Sequence, residues 1–269
     1  MLRDMTLGQY YQSDSIIHRL DPRVKICGTM LFIISIFLFD KFTGYAVAAL
    51  LLFTAIRIST VPLKYIVKGM KAIVFLLVIT ILFNLFLTPG DTLVEFHGIT
   101  ITRQGVLTSV FMGLRLTFLI LGSSLMTFTT TPNNLTDGLE KLLNPLKKVH
   151  VPVHEVAMMM SIALRFIPIL LEETDRIMKA QIALGADFES GSIIRKAKAM
   201  VPLLVPLFIA AFRRANDLAM AMEARCYRGG EGRTKMKPLQ YHKRDGITYM
   251  ILVIYLAAII AVGFIPILP

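Results

Sequence analysis

Five apolar runs, at about 26–39, 43–59, 72–88, 105–129 and 246–267, restrict this chain to a small set of folds. A run of roughly 20 apolar residues matches the hydrocarbon thickness of a bilayer, and a soluble helical core has no place for several of them. Within a bilayer each backbone N–H and C=O must find its partner inside the protein, which favours helices. Of 269 residues, 55% are apolar and only 17% charged, and mean hydropathy is +0.65. The expected fold class is an all-α polytopic membrane protein with about five transmembrane helices. Only Asp40-Lys41 separates the first two runs, which therefore read as a tight hairpin. The first 20 residues carry Tyr10, Tyr11, Asp14, His18 and Arg19 instead of an apolar centre, so a cleavable signal peptide is not expected.

Positive charge orients the spans. Arg3, Arg19, Arg23 and Lys25 precede the first run, and Arg57, Lys64, Lys68 and Lys71 lie in the second connection. The first connection has only Lys41, and the third sets Arg103 against Asp91 and Glu95. Residues 130–244 hold 18 of the 29 Lys/Arg and 11 of the 18 Asp/Glu, a balance of +7. The expectation is a cytoplasmic N-terminus, an outside C-terminus and three parts: 1–129 with four spans, 130–244 as cytoplasmic coupling helices, and 245–269 as the last span. Basic residues on the inner side set topology and meet anionic membrane lipid, so a pI near 9.8 does not call for nucleic acid. Cys27 and Cys226 lie in different contexts and suggest neither a disulfide nor a metal site.

Residues 130–244 are too periodic for a linker. Thr131 caps a helix with Pro132 in its first turn, and Leu135, Leu139, Leu142, Leu143 and Leu146 form a stripe. A second stretch runs from about Val153 to Leu184, with Pro168 expected to kink or divide it. Its later half pairs Glu172 with Arg176 and Asp175 with Lys179, and Gly185 fits a C-terminal cap. A third stretch spans about 193–227, interrupted by Pro202 and Pro206 and ended by Gly229-Gly230. Each of the last two is about 45 Å long if straight. They also share a load of methionine, Met158–Met160, Met178, Met200, Met220 and Met222, a residue that suits adaptable surfaces as well as ordinary cores.

Both long helices end in similar motifs 41 residues apart, Ala183-Leu184-Gly185-Ala186-Asp187 and Ala224-Arg225-Cys226-Tyr227-Arg228-Gly229-Gly230. Two similar helix ends on one chain suit a partner with two similar surfaces. Arg225 offers a fork for carboxylates or carbonyls, although with Arg228 it could equally neutralise its own helix end. No G-x-x-x-x-G-K-[ST] loop, H-E-x-x-H or C-x-x-C is present, so no bound ATP, cofactor or metal is expected. Arg115 is the main charge inside a span, where it could line a polar path or bond to a neighbouring helix. One such residue supplies a membrane-embedded catalytic site poorly.

The run Gly8-Gln9-Tyr10-Tyr11-Gln12-Ser13-Asp14-Ser15-Ile16-Ile17-His18-Arg19-Leu20-Asp21-Pro22-Arg23-Val24-Lys25 resembles the opening of the transmembrane coupling subunit, or T component, of energy-coupling factor ABC transporters. Thr131-Pro132, Gly138-Leu139-Glu140, Asn144-Pro145-Leu146, Ala180-Gln181 through Phe188, and Glu223-Ala224-Arg225 through Gly232 are similar to that family as well. The resemblance implies a bacterial cell-membrane importer of vitamins or micronutrients. It implies a non-catalytic chain that joins two cytoplasmic ATPase subunits to a membrane-embedded substrate-binding subunit. It also implies that two Ala-Arg-Gly-type helix ends dock in the ATPases. Here these are Ala183-Leu184-Gly185 and Ala224-Arg225-Cys226, with Asp187 and Arg228 as additional candidates. Leu184 stands where the family usually has arginine, and Cys226 where it has glycine. The alternatives are a T component dedicated to cobalt or nickel, a membrane enzyme, or an unrelated scaffold.

Overall fold

The computed structural model describes residues 10–39, 41–96, 99–186, 193–229, 235–236 and 238–264. Helices α1 (Pro22–Ile36), α2 (Phe42–Ser59) and α3 (Leu63–Leu87) come first. An antiparallel hairpin of β1 (Thr92–Phe96) and β2 (Ile99–Thr102) then leads into α4 (Arg103–Thr129). After α5 (Pro132–Leu143) and a 3-10 segment (Asn144–Val149) come α6 (Val153–Ala183), α7 (Ile193–Ala224) and α8 (Lys243–Phe264).

The chain divides into two compact units, one of Gly8–Lys141 with Leu239–Pro269 and a second built around Leu142–Pro238. In the first unit, small residues let helices approach closely, as bilayer packing requires. A Cβ on Gly122 of α4 would lie 2.6 Å from the ring of Phe32 on α1. A Cβ on Gly105 would come within 2.9 Å of the Leu85 carbonyl of α3. Ser35 of α1, fully buried, shares a 2.8 Å hydrogen bond with the Tyr255 hydroxyl of α8. The core joins Phe32, Ile36, Tyr45, Leu52, Leu125, Phe128 and Ile259. Arg115 of α4 donates from Nη2 to the Phe39 carbonyl at 3.3 Å, and its guanidinium lies over the Phe37 ring. It thus bonds to the chain leaving α1, three residues past the helix end.

Charged residues gather at the start of α1. Asp21 caps it, accepting from the Arg23 N–H, and binds the Arg23 guanidinium through both carboxylate oxygens at 3.0 and 2.9 Å. Arg23 also donates to the Leu239 carbonyl and stacks on Tyr241. Asp245, 1% exposed, accepts the N–H groups of Asp21 and His242, and Lys25 donates to the carbonyls of His18 and Thr129. The His18-Arg19-Leu20-Asp21-Pro22-Arg23-Val24-Lys25 run thus ties the segment before α1 to the end of α4 and the start of α8. α5 belongs to this unit as far as Lys141: Thr131 caps it through the Asn134 N–H, and Gly138 lies against Pro22 and Ile26.

The expected runs fall on α1, α2, α3, α4 and α8. Among the described residues, four helices are long and apolar enough to cross a membrane: α2, α4, α6 and α8. The apolar part of α3, Ile73–Leu87, is shorter, and α1 has 15 residues. α6 qualifies on the apolar stretch from Met158 to Leu170, which precedes its charged half.

Candidate functional site

α6 and α7 form the second unit's long pair. α6 runs undivided through Pro168, and α7 through Pro202 and Pro206. Each proline removes one backbone donor, but more than 20 other residues in each helix keep the i→i−4 ladder going, so the interruptions expected from sequence do not divide the elements.

The two helices terminate in the same way. At the end of α6, the Gly185 N–H reaches the Ile182 carbonyl at 2.9 Å and the Ala186 N–H reaches the Gln181 carbonyl at 2.9 Å. Gly185 has φ +91°. At the end of α7, the Cys226 N–H reaches Glu223 at 2.8 Å, the Tyr227 N–H reaches Met222 at 3.0 Å, and Cys226 has φ +53°. This is the Schellman termination, with a left-handed residue just past the cap and two crossed hydrogen bonds that occupy orphan carbonyls. Every participant in one end maps onto its counterpart in the other by a shift of 41 residues. Ala183 matches Ala224, Leu184 matches Arg225, and Gly185 matches Cys226.

α7 therefore ends three residues before the boundary expected at 227, and Cys226 takes the left-handed conformation just past its cap, while Gly230 of the expected Gly229-Gly230 stop lies outside the described residues. Gly229 adds a further left-handed residue at φ +84°. A non-glycine residue at positive φ is uncommon, so composition alone pointed past this position. The signal that locates it is the repeat itself, since Cys226 occupies the register of Gly185.

Both tips are open. Ala183, Leu184, Gly185, Ala224, Arg225, Cys226 and Arg228 are all exposed, Leu184 at 81%. Asp187 lies outside the described residues. The first tip presents an apolar side chain at its cap position, and the second presents a guanidinium with a thiol beside it. The structure thus brings each triplet together as one helix end.

Sequence spacing drew attention to ion pairs within α6. It could not show the pair formed across α6 and α7, in which Arg214 Nη2 lies 3.4 Å from Glu173 Oε2. Near this contact, Leu170 of α6 and Leu204, Leu207, Phe208 and Ala211 of α7 line an open apolar hollow of about 530 Å³.

A family model described as "Cobalt transport protein" matches residues 13–236. The chain is 55% identical over 249 residues to a Clostridium kluyveri protein named energy-coupling factor transporter transmembrane protein EcfT, covering 92% of each. A Thermosediminibacter oceani protein of the same name is 52% identical over 262 residues, 97% of this chain and 95% of that one. A Bacillus subtilis protein, again of that name, is 45% identical over 261 residues, 97% and 98% of the two chains. With this similarity along nearly its whole length, the chain belongs to the family of energy-coupling factor transporter transmembrane proteins.

Proposed function

We propose that this chain is the non-catalytic coupling subunit of a bacterial importer for vitamins or other micronutrients. Its two helix tips dock into grooves of two cytoplasmic ATPase subunits, which hydrolyse the ATP. The remainder of the chain joins those tips to a membrane subunit that captures substrate. ATP binding and hydrolysis move the ATPases, and α6 and α7 pass that movement on. In this reading residues 130–244 and the N-terminus face the cytoplasm and the C-terminus lies outside, as the distribution of Lys and Arg supports.

The observation that carries the reading is the pair of exposed helix ends built to one pattern, Ala183-Leu184-Gly185 and Ala224-Arg225-Cys226. One chain with two copies of a docking element suits two partners of similar shape. The carbonyls gathered at each tip carry the negative end of a helix, and Arg225 adds a fixed positive charge beside one of them. The two contacts therefore differ chemically: the Arg225 tip offers charge-assisted bonds, and the Leu184 tip offers apolar packing and shape.

The test is purification of the tagged chain from its native membrane, with quantification of the proteins that accompany it. Two ATP-binding proteins and a small membrane protein in stoichiometric amounts are expected. Catalytic turnover by the isolated chain, with no ATPase bound, would overturn the reading. A second reading, a T component dedicated to cobalt or nickel, draws on the description of the matching family model. Adjacent cobalt-transport genes would favour it, and adjacent genes for two ATPases beside ribosomal genes would favour the shared importer.

A further inference from the structure

The 41-residue shift that superposes the helix tips also relates the helices behind them, carrying α6 onto 194–224, all but the first residue of α7. Under that shift Glu173 falls on Arg214, and these two residues are in contact at 3.4 Å. Positions equidistant from the two matched helix ends thus meet each other. From this contact each arm continues ten residues to its tip, from 173 to 183 and from 214 to 224, about 15 Å of helix on either side. The two tips therefore stand at matched distances along their helices from a shared point.

The charges at that point are opposite on the two helices. α6 carries Glu172-Glu173 where α7 carries Arg213-Arg214 at the same distance from its end. The contact between them is therefore attractive. Leu170, Leu207, Phe208 and Ala211 line an open hollow at the neighbouring turn, so apolar packing is incomplete there. The polar contact then contributes to the orientation of one arm against the other. Side-chain exposures of 38% and 28% place the pair between fully solvated and buried, so a moderate energy is in play.

We infer that Glu173 and Arg214 are positioning residues that fix the spacing of the two docking tips, so that ATPase movement reaches both arms together instead of being lost where they meet. This rests on the docking reading above. It predicts a loss of coupling without a loss of partners.

The experiment uses the complete transporter, this chain with both ATPases and the substrate-binding subunit, in proteoliposomes. Uptake per ATP hydrolysed is measured together with ATPase retention. Glu173→Arg and Arg214→Glu each place like charges at the contact and are expected to lower that ratio about two- to fivefold, the scale of a partly exposed ion pair, with both ATPases retained. The double variant Glu173→Arg/Arg214→Glu restores the pair and is expected to recover the wild-type ratio. Glu173→Gln, which adds no repulsion, shows a smaller loss and carries the test should a reversal fail to fold. Wild-type ratios in the folded single variants, or no recovery in the double variant, would overturn the inference. Arg225→Glu serves as the control for docking. If it keeps its ATPases, docking and positioning both fail; if it loses them while the pair variants couple normally, only positioning fails.

Discussion

Gly185 and Cys226 hold the same place in two helix terminations, each at positive φ and each donating its N–H to the carbonyl three residues back. Only Gly185 adopts that conformation without steric conflict, because a Cβ in the left-handed region crowds the following carbonyl, at roughly 1–2 kcal/mol. Cys226→Gly should therefore stabilise the end of α7 by about 1 kcal/mol. Gly185→Ala should destabilise α6 by a similar amount although a Cβ there would meet nothing within 4 Å, so the effect is purely one of backbone. Thermal unfolding of the detergent-solubilised protein reads both, and shifts of the same sign would refute the equivalence.

Gly122→Ala forces a methyl to 2.6 Å from the ring of Phe32, which is 5% exposed and has little room to retreat. Overpacking of this kind costs about 1–3 kcal/mol. The expected result is a lower unfolding temperature, partly recovered by the double variant Gly122→Ala/Phe32→Leu.

Asp245→Ala removes the acceptor of two N–H groups, that of buried Asp21 and that of exposed His242. The buried Asp21 donor left unsatisfied costs roughly 1–3 kcal/mol, while the His242 N–H can turn to water, so the loss should be about 1–3 kcal/mol. Proteolysis of the segment before α1 and of the 235–245 region should rise together, because Asp245 joins them. Unchanged proteolysis would show that the cluster is not what holds them.

His18 gives the same region a pH dependence. Its Nε2 faces the Tyr11 carbonyl, which only accepts, so Nε2 carries the proton and Nδ1 accepts from the Ser15 hydroxyl. Burial pushes this imidazole below its ordinary value. The unfolded segment then binds the proton more readily, so the contribution of neutral His18 is fully present above the usual histidine value of about 6.5 and is lost as pH falls from there through the lower native value. The protection factor of the Tyr11 amide, which bonds to the Phe128 carbonyl, taken against its intrinsic exchange rate at each pH, should fall between about pH 7 and 5 in the wild type and not in His18→Gln.

Much of this was legible in the chain. The five apolar runs lie on α1, α2, α3, α4 and α8, because apolar helices are written as sustained hydropathy, although among the described residues only α2, α4 and α8 of these, together with α6, are long and apolar enough to cross a membrane. Thr131-Pro132 and Gly185 marked helix ends through local chemistry that survives folding. The parts that were not legible depend on through-space partners. Nothing local shows that Arg115 reaches the Phe39 carbonyl, that Asp245 accepts from Asp21, or that Glu173 meets Arg214 across two helices. The β1–β2 hairpin escaped because its strands are four and five residues long, too short for alternation to stand out. The end of α7 was misjudged because a cysteine fills a position where glycine is the usual marker.

Co-purification of the ATPases with tagged Arg225→Asp and Leu184→Asp, at matched membrane insertion, tests the central claim most directly. Arg225→Asp reverses a charge at one tip, and Leu184→Asp adds a charge to an apolar contact at the other. Both should weaken ATPase retention, with Arg225→Asp the more severe by at least about tenfold, the scale of losing a charge-assisted bond and leaving its partner unpaired. Full retention in Arg225→Asp, or an equal loss in the two variants, would contradict the account.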